Sequence, residues 1–296
     1  MQVGLIGLGL MGSALASRLI SAGHTVLGFD VVEDRRREHT GRGGILAASP
    51  AEVAGSCGLV ILSLPNSDIV RSACLGPSGI AEGAKAGLLI VDTTTGRPGD
   101  TIELAGALAQ RGIRFVDATL SGNSKMALEG KAVAMVGGPP DDVAEAWPIL
   151  EVISRSAHHL GPTGAGAVTK LIVNLVLGIN RAALGEGLVV GEKAGLDLEA
   201  LMTVLRDGSS YSRAMDIYGD SMLTGTHYPP AARVRQTHKD FKLILELCQG
   251  VGAPAWLSSV VQQLLQVGEF TGLADADNGS IIETMRRQAG IGRVAG

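Results

Sequence analysis

Short apolar runs of strand length recur through the first half of the chain, at Val3–Ile6, Thr25–Phe29, Leu59–Leu64, Leu88–Asp92, Arg114–Asp117 and Ala132–Val136. Between most of them the apolar positions take helical spacing, most clearly over Ser13–Ser21, Asp100–Arg111 and Asp141–Ile153. Strand runs alternating with amphipathic helices predict βαβ units and a parallel sheet. The period changes after Gly161-Pro162-Thr163-Gly164. From Ala165 to Ala194 no proline interrupts a helical pattern, and Gly195 follows it as a natural helix terminator. The remainder reads as helical, with breaks near Asp207-Gly208, Tyr228-Pro229-Pro230 and Gly250–Pro254. The expected fold is an α/β Rossmann-type N-terminal domain, residues 1–162, followed by an all-α C-terminal domain, residues 163–296, entered by one long helix.

Composition narrows the function. Hydrophobic residues make up 46% of the 296, enough for two domains with cores. The net charge of −4, with basic residues scattered apart from Arg35-Arg36-Arg37, argues against nucleic acid as a partner. Three cysteines (Cys57, Cys74, Cys248), an odd number without CxxC spacing, argue against a disulfide framework or a zinc site. They fit a reducing compartment, and the cytoplasm is the expected location. Residues 3–16 mimic a signal-peptide core, but no Lys or Arg precedes them and their glycines fit a tight turn better. The later apolar run Leu171–Ile179 is broken by Asn174 and too short to cross a bilayer, so no membrane partner is expected.

The strongest chemical signal is Gly7-Leu8-Gly9-Leu10-Met11-Gly12, which follows the first strand and opens the first helix. Gly7 allows the tight turn, Gly9 lets backbone approach a pyrophosphate, and Gly12 lets helix pack on strand. The helix N-terminus then stabilises the phosphate charge. Asp30 lies 18 residues after Gly12, at the end of the second strand, where a carboxylate accepts hydrogen bonds from a ribose. A 2′-phosphate beside it would meet repulsion, so NAD is expected over NADP; one of the arginines at 35–37 reaching such a phosphate leaves NADP open.

Other polar loops follow strand ends and so fall on the same rim of a parallel sheet, where ligands bind. They are Leu64-Pro65-Asn66-Ser67, Thr93-Thr94-Thr95 and Ser121-Gly122-Asn123-Ser124. Any one alone is as well read as a turn or helix cap. Ser121 with the backbone N–H groups of Gly122 and Asn123 suits a carboxylate. Lys170, one of only seven lysines, sits among Val168, Leu171, Ile172 and Val173 near the start of the long helix, with Asn174 one turn on. An apolar setting lowers a lysine pKa and suits it to proton transfer. Arg181 shares that face but lies three turns along, outside the site. His238 and Lys239 are further candidates for the cleft, whereas His158-His159 reads as structural.

These residues together resemble the β-hydroxyacid dehydrogenases, the family of 3-hydroxyisobutyrate dehydrogenase and tartronate semialdehyde reductase. Gly4–Gly12 resembles the family's cofactor signature, Asp117-Ala118-Thr119-Leu120-Ser121-Gly122-Asn123 its substrate segment, Gly164–Asn174 its catalytic segment and Lys239-Asp240 its late Lys-Asp pair. The resemblance implies proton transfer by Lys170, positioning of substrate or lysine by Asn174, and carboxylate binding by Ser121, Gly122 and Asn123. It implies cofactor contacts from Leu64, Pro65 and Thr95, and places Lys239 beside both cofactor and substrate. It also implies a homodimer or homotetramer.

Three departures stand out. Asn123 replaces a usual glycine, Pro230-Ala231-Ala232-Arg233 lacks a usual aromatic, and Val173-Asn174-Leu175 lacks the His-Asn-Gly run of 6-phosphogluconate dehydrogenases. The function expected is hydride transfer between NAD(H) and a small hydroxy acid or its semialdehyde or keto partner, with no metal. An imine reductase-like enzyme and a non-catalytic dinucleotide-binding module are the alternatives. Lys170 argues against the first, and Lys170 with Asn174 against the second.

Overall fold

The structure, a computed structural model, describes residues 1–292. Its first part runs β1 (Gln2–Ile6), α1 (Leu10–Ser21), β2 (Thr25–Phe29), α2 (Glu33–Gly41), β3 (Ile45–Leu46), α3 (Pro50–Ser56), β4 (Leu59–Leu62), α4 (Ser67–Leu75), α5 (Ile80–Gly83) and β5 (Leu89–Asp92). It continues through α6 (Pro98–Ala109), β6 (Arg114–Ser121), α7 (Ser124–Leu128), β7 (Val133–Gly137), α8 (Pro140–Ile153) and β8 (Ser156–His159). The long helix α9 (Ala165–Lys193) follows, then α10 (Leu198–Asp207), α11 (Arg213–Thr224), α12 (Val234–Gly250), α13 (Trp256–Gly268) and α14 (Ile281–Gln288). Two compact units result, Met1–Lys170 and Leu171 onward, with α9 running through the division.

The first unit is one eight-stranded sheet in the order β3-β2-β1-β4-β5-β6-β7-β8. Its inner strands are apolar on both faces; Leu59–Leu62 and Leu89–Asp92 are buried at every position. Such strands need helices above and below, the condition for a parallel sheet. One face packs Val3, Leu5 and Ile61 against Leu15 and Leu19 of α1 and Ile149 and Ile153 of α8. The other packs Ile6, Val60 and Leu62 against Val53 of α3, Val70 of α4 and Leu104 of α6.

The all-parallel expectation needs one correction: β7 runs antiparallel to β6, pairing Asp117 with Gly137 through Ser121 with Val133. Only the stretch from Gly122 to Ala132 joins them, and five of its residues form α7. A parallel crossover needs a dozen residues or more, so the chain returns antiparallel. The pattern also missed two edge strands. β3 is two exposed residues, and β8, Ser-Ala-His-His, has no apolar run to betray it.

In the second unit Leu171, Leu184 and Leu188 of α9 meet Met202 of α10, Met215, Tyr218 and Met222 of α11, Phe241 and Ile244 of α12, and Ile282 of α14. Gly178 makes that approach possible, since a Cβ there would stand 2.4 Å from the Phe241 ring. As a whole helix α9 is long and apolar enough to cross a membrane, which the shorter run Leu171–Ile179 is not. Its residues Leu171, Ala182, Leu184, Leu188 and Val189 are buried in this core.

Candidate functional site

The dinucleotide loop is set by two close backbone approaches. Gly7 has φ +96°, and a Cβ there would lie 2.2 Å from the Ser63 carbonyl oxygen. At Gly12 a Cβ would lie 1.9 Å from the Gly7 carbonyl oxygen, so only glycine lets α1 rest on the end of β1. Gly9 differs. Nothing but the Arg35 guanidinium, 3.8 Å away, would approach its Cβ, so the loop's outer side is open.

Gly9 is also the N-cap of α1, with no capping side chain and no acid in the first turn. The first N–H groups of the helix are therefore left for an outside anion, and the helix dipole favours one. A pyrophosphate fits this cradle. Of the loop's other residues, Leu8 is buried in the core, whereas Leu10 is 66% exposed.

Asp30 is buried and already engaged. Its Oδ2 accepts from the Leu8 N–H at 2.8 Å and its Oδ1 from the Val32 N–H at 2.8 Å, with Arg35 Nη1 3.4 Å from Oδ2. It braces the loop from the end of β2, a role the sequence spacing did not suggest. Capacity for a ribose hydroxyl remains, because an ionised carboxylate has about four acceptor positions.

β2, β1, β4, β5 and β6 are parallel neighbours, so the four loops after β1, β4, β5 and β6 share the carboxyl rim. Several of their polar groups hold the rim itself. The Leu64 N–H donates to Thr94 Oγ1 at 3.1 Å, Thr93 Oγ1 donates to the Leu62 carbonyl at 2.7 Å, and Asn66 caps α4 through the Ile69 N–H. Pro65 is exposed and Thr95 half-buried on the same rim.

Asp92 ends β5 beneath this rim, buried, with its Oδ1 accepting from the Thr94 N–H at 2.9 Å. Burial is the main cause that pushes its carboxyl up to about 7, against 3.8 for a free one. Between those pH values the folded chain holds a proton that the unfolded chain has lost, so stability falls as pH rises from about 4 to about 7. Asp92→Asn keeps the acceptor and removes the titration. The stability difference between variant and wild type, measured by urea unfolding, should grow in favour of the variant across that window by up to about 4 kcal/mol. A difference independent of pH would show that Asp92 is not held protonated.

β6 delivers the proposed carboxylate cradle. Gly122 has φ +143°, a value that favours glycine. Asn123 has φ −88°, which any residue adopts, and its Oδ1 caps α7 by accepting from the Met126 N–H at 2.9 Å. This explains how asparagine is accommodated where the family motif usually has glycine. Its amide oxygen is taken up by the cap.

The same strand anchors α9. Buried Asp117 accepts from the Gly164 N–H at 2.7 Å and the Ala167 N–H at 2.8 Å, and Thr119 Oγ1 donates to the Gly166 carbonyl at 2.9 Å. A Cβ at Gly166 would lie 2.4 Å from the Met135 carbonyl oxygen, so the first turn of α9 sits directly on the sheet. Lys170 lies one turn beyond Gly166 and is 9% exposed. Asp117 was legible only as a motif letter, because its partners lie 47 and 50 residues away.

In the second unit Asn174 Nδ2 donates to Asp240 Oδ2 at 2.9 Å, and Lys239 Nζ lies 3.2 Å from Asp240 Oδ1. Asp240 thus joins two predicted site residues and leaves the Asn174 carbonyl oxygen as that amide's acceptor. His238 turns elsewhere: it is buried between Glu269 and Gln262, so it braces α12 against α13. Arg181 is buried over the Tyr218 ring, 5.2 Å from its centre, and His159 bonds the Gly138 and Gly161 carbonyls. His159 thereby ties β8 to the turn that follows β7. Among the described residues no group of three His, Cys, Asp or Glu side chains is placed to hold a metal ion.

Two family models match. Residues 2–161 match the NAD binding domain of 6-phosphogluconate dehydrogenase, and residues 164–285 match the NAD-binding region of NADP-dependent 3-hydroxyisobutyrate dehydrogenase. The chain is 32% identical over 290 residues to 2-(hydroxymethyl)glutarate dehydrogenase of Eubacterium barkeri, covering 98% of this chain and 96% of that one. It is 29% identical to glyoxylate/succinic semialdehyde reductase 2 of Arabidopsis thaliana, covering 96% of this chain and 79% of that one. Among solved structures, 3-hydroxyisobutyrate dehydrogenase of Mycobacterium tuberculosis, with L-serine, superposes with a TM-score of 0.87 at 26% identity, covering 96% of this chain and 99% of that one.

Proposed function

The chain belongs to the β-hydroxyacid dehydrogenase family of NAD(P)-dependent oxidoreductases acting on CH–OH groups, and from that premise we propose that it interconverts a small hydroxy acid and its semialdehyde or keto partner. NAD(P), when bound, takes or supplies the hydride. The chain's own residues bind, orient and move the proton. The observation that carries the reading is Lys170, buried on a helix whose first turn is pinned by Asp117 and Thr119.

Lys170 takes the hydroxyl proton of the acid during oxidation and returns it to the carbonyl oxygen during reduction. Asn174, with its amide fixed by Asp240, presents its oxygen one turn from Lys170 and orients the ammonium or the substrate hydroxyl. Ser121 and the N–H groups of Gly122 and Asn123 hold the substrate carboxylate. Lys239, paired to Asp240, contacts cofactor and substrate. The cofactor contacts fall to Gly7–Gly12, Asp30, Leu64, Pro65 and Thr95. The names of the relatives, a hydroxymethyl diacid dehydrogenase and a semialdehyde reductase, support a carboxylate-bearing substrate.

The working form we propose is a cytoplasmic assembly of identical copies. Three free cysteines support the location. Exposed Ile172, Val176 and Val190 on α9 and Trp256, Leu257 and Val260 on α13 support the assembly.

The test is turnover. Small hydroxy acids should reduce NAD(P), and replacing the carboxylate by an amide should lower kcat/KM by about ten-fold or more, because a charge-assisted hydrogen bond is worth ~1.5–3 kcal/mol. Equal turnover of the amide would remove the cradle, and turnover of cyclic imines alone would support the imine reductase reading.

A further inference from the structure

Two arginines are buried in the second unit, and their surroundings differ. Arg286 is 2% exposed and is answered by two carboxylates: its Nε lies 2.8 Å from Glu192 Oε2 and its Nη1 2.9 Å from Glu283 Oε1. Arg181, on α9, is also 2% exposed, yet among the described residues nothing accepts from its Nε or its Nη2. Its helix face is packed by apolar groups. A Cβ at Gly178 would stand 2.4 Å from the Phe241 ring, and one at Gly185 3.2 Å from the Met285 sulfur. The Tyr218 ring, 5.2 Å from the guanidinium carbon, attracts the charge without neutralising it.

An arginine does not escape burial by giving up its proton. A buried charge without a counter-charge is costly, so this position calls for an anion. Water bonded to the same N–H groups would leave the charge uncancelled. The geometry says which anion. Nε–H and one N–H of Nη2 lie on the same edge of the planar guanidinium and point in parallel, and that edge meets both oxygens of a carboxylate. The two atoms without an acceptor therefore form a single two-pronged donor.

We propose that the Nε/Nη2 edge of Arg181 binds a small carboxylate, of formate or acetate size, inside the second unit. The Ser121–Asn123 cradle is built in the first unit and is a different site. Equilibrium urea unfolding in increasing formate, with ionic strength held by a bulky sulfonate, tests this without turnover. The unfolding constant of wild type should fall by about ten-fold or more between about 1 and about 100 mM formate, because a ligand of the folded chain stabilises it in proportion to its saturation. Arg181→Met should show no such fall, and without formate it should unfold no more readily than wild type, since an apolar side chain then replaces an unpaired charge. Arg181→Lys keeps the charge but lacks the paired edge, so its fall should be smaller than that of wild type.

A wild type indifferent to formate would overturn the proposal. So would a fall of wild-type size in Arg181→Met or in Arg181→Lys, which would put the anion elsewhere, the substrate cradle included. Stability that rises with protein concentration instead of formate, and loses that dependence in Arg181→Met, would overturn it as well, because a carboxylate of a second copy would then be the partner.

Discussion

Lys170→Ala should lower kcat by about 10²–10⁴, the usual contribution of a positioned acid–base group, and leave the NADH dissociation constant nearly unchanged. A hydride cannot leave an alcohol carbon productively unless the hydroxyl proton leaves as well. Lys170 is the candidate because it is 9% exposed, one turn after the Gly166 backbone that lies against β6 and β7. The dinucleotide cradle is built by other residues, Gly7–Gly12 and Asp30, braced at 2.8 Å through the Leu8 N–H. Lys170→Arg should not restore the rate, because a guanidinium does not release its proton near neutral pH. Single-turnover rates with NADH titrations separate the two halves. Wild-type chemistry in Lys170→Ala would remove it from the mechanism and shift attention to Lys239.

Gly12→Val should reduce NADH affinity by more than about 100-fold and destabilise the first unit by at least ~1–3 kcal/mol, the range for overpacking. A Cβ at Gly12 would stand 1.9 Å from the Gly7 carbonyl oxygen, so α1 must leave the end of β1 and take its N–H groups with it. Gly106→Ala is the control. It lies in α6 with nothing within 4 Å of a Cβ, and there alanine should raise stability by ~0.5–1 kcal/mol. Equilibrium unfolding and NADH titration of both variants check this; near-normal NADH binding by Gly12→Val would mean that the loop does not hold the cofactor as described.

What the sequence made legible was what depends on neighbours in the chain. Buried runs such as Leu59–Leu62 announce central strands, and the glycine spacing of the first loop announces its turn. Contacts that depend on distant residues left little trace. Asp117 reads as one more acid until α9 arrives 47 residues later to be capped by it. Asp240 stands beside Lys239 in sequence, yet its link to Asn174 spans 66 residues. Spacing alone turns Asp30 outward to a ribose, and its hold on Leu8, 22 residues away, emerges only when β1 and β2 are laid side by side. His238 goes the other way: its neighbour Lys239 makes it look like a site residue, and its burial against Glu269 and Gln262 withdraws it. The reversal of β7 follows from chain length rather than pattern, since its own residues look like any parallel strand.

The central claim is hydride transfer from a hydroxy acid to the nicotinamide. The direct measurement is to incubate the protein with NAD and small hydroxy acids carrying deuterium on the carbinol carbon, and to weigh the reduced cofactor by mass spectrometry. The account predicts NADH that has gained the substrate's deuterium; oxidation of the acid that yields only unlabelled NADH would contradict it.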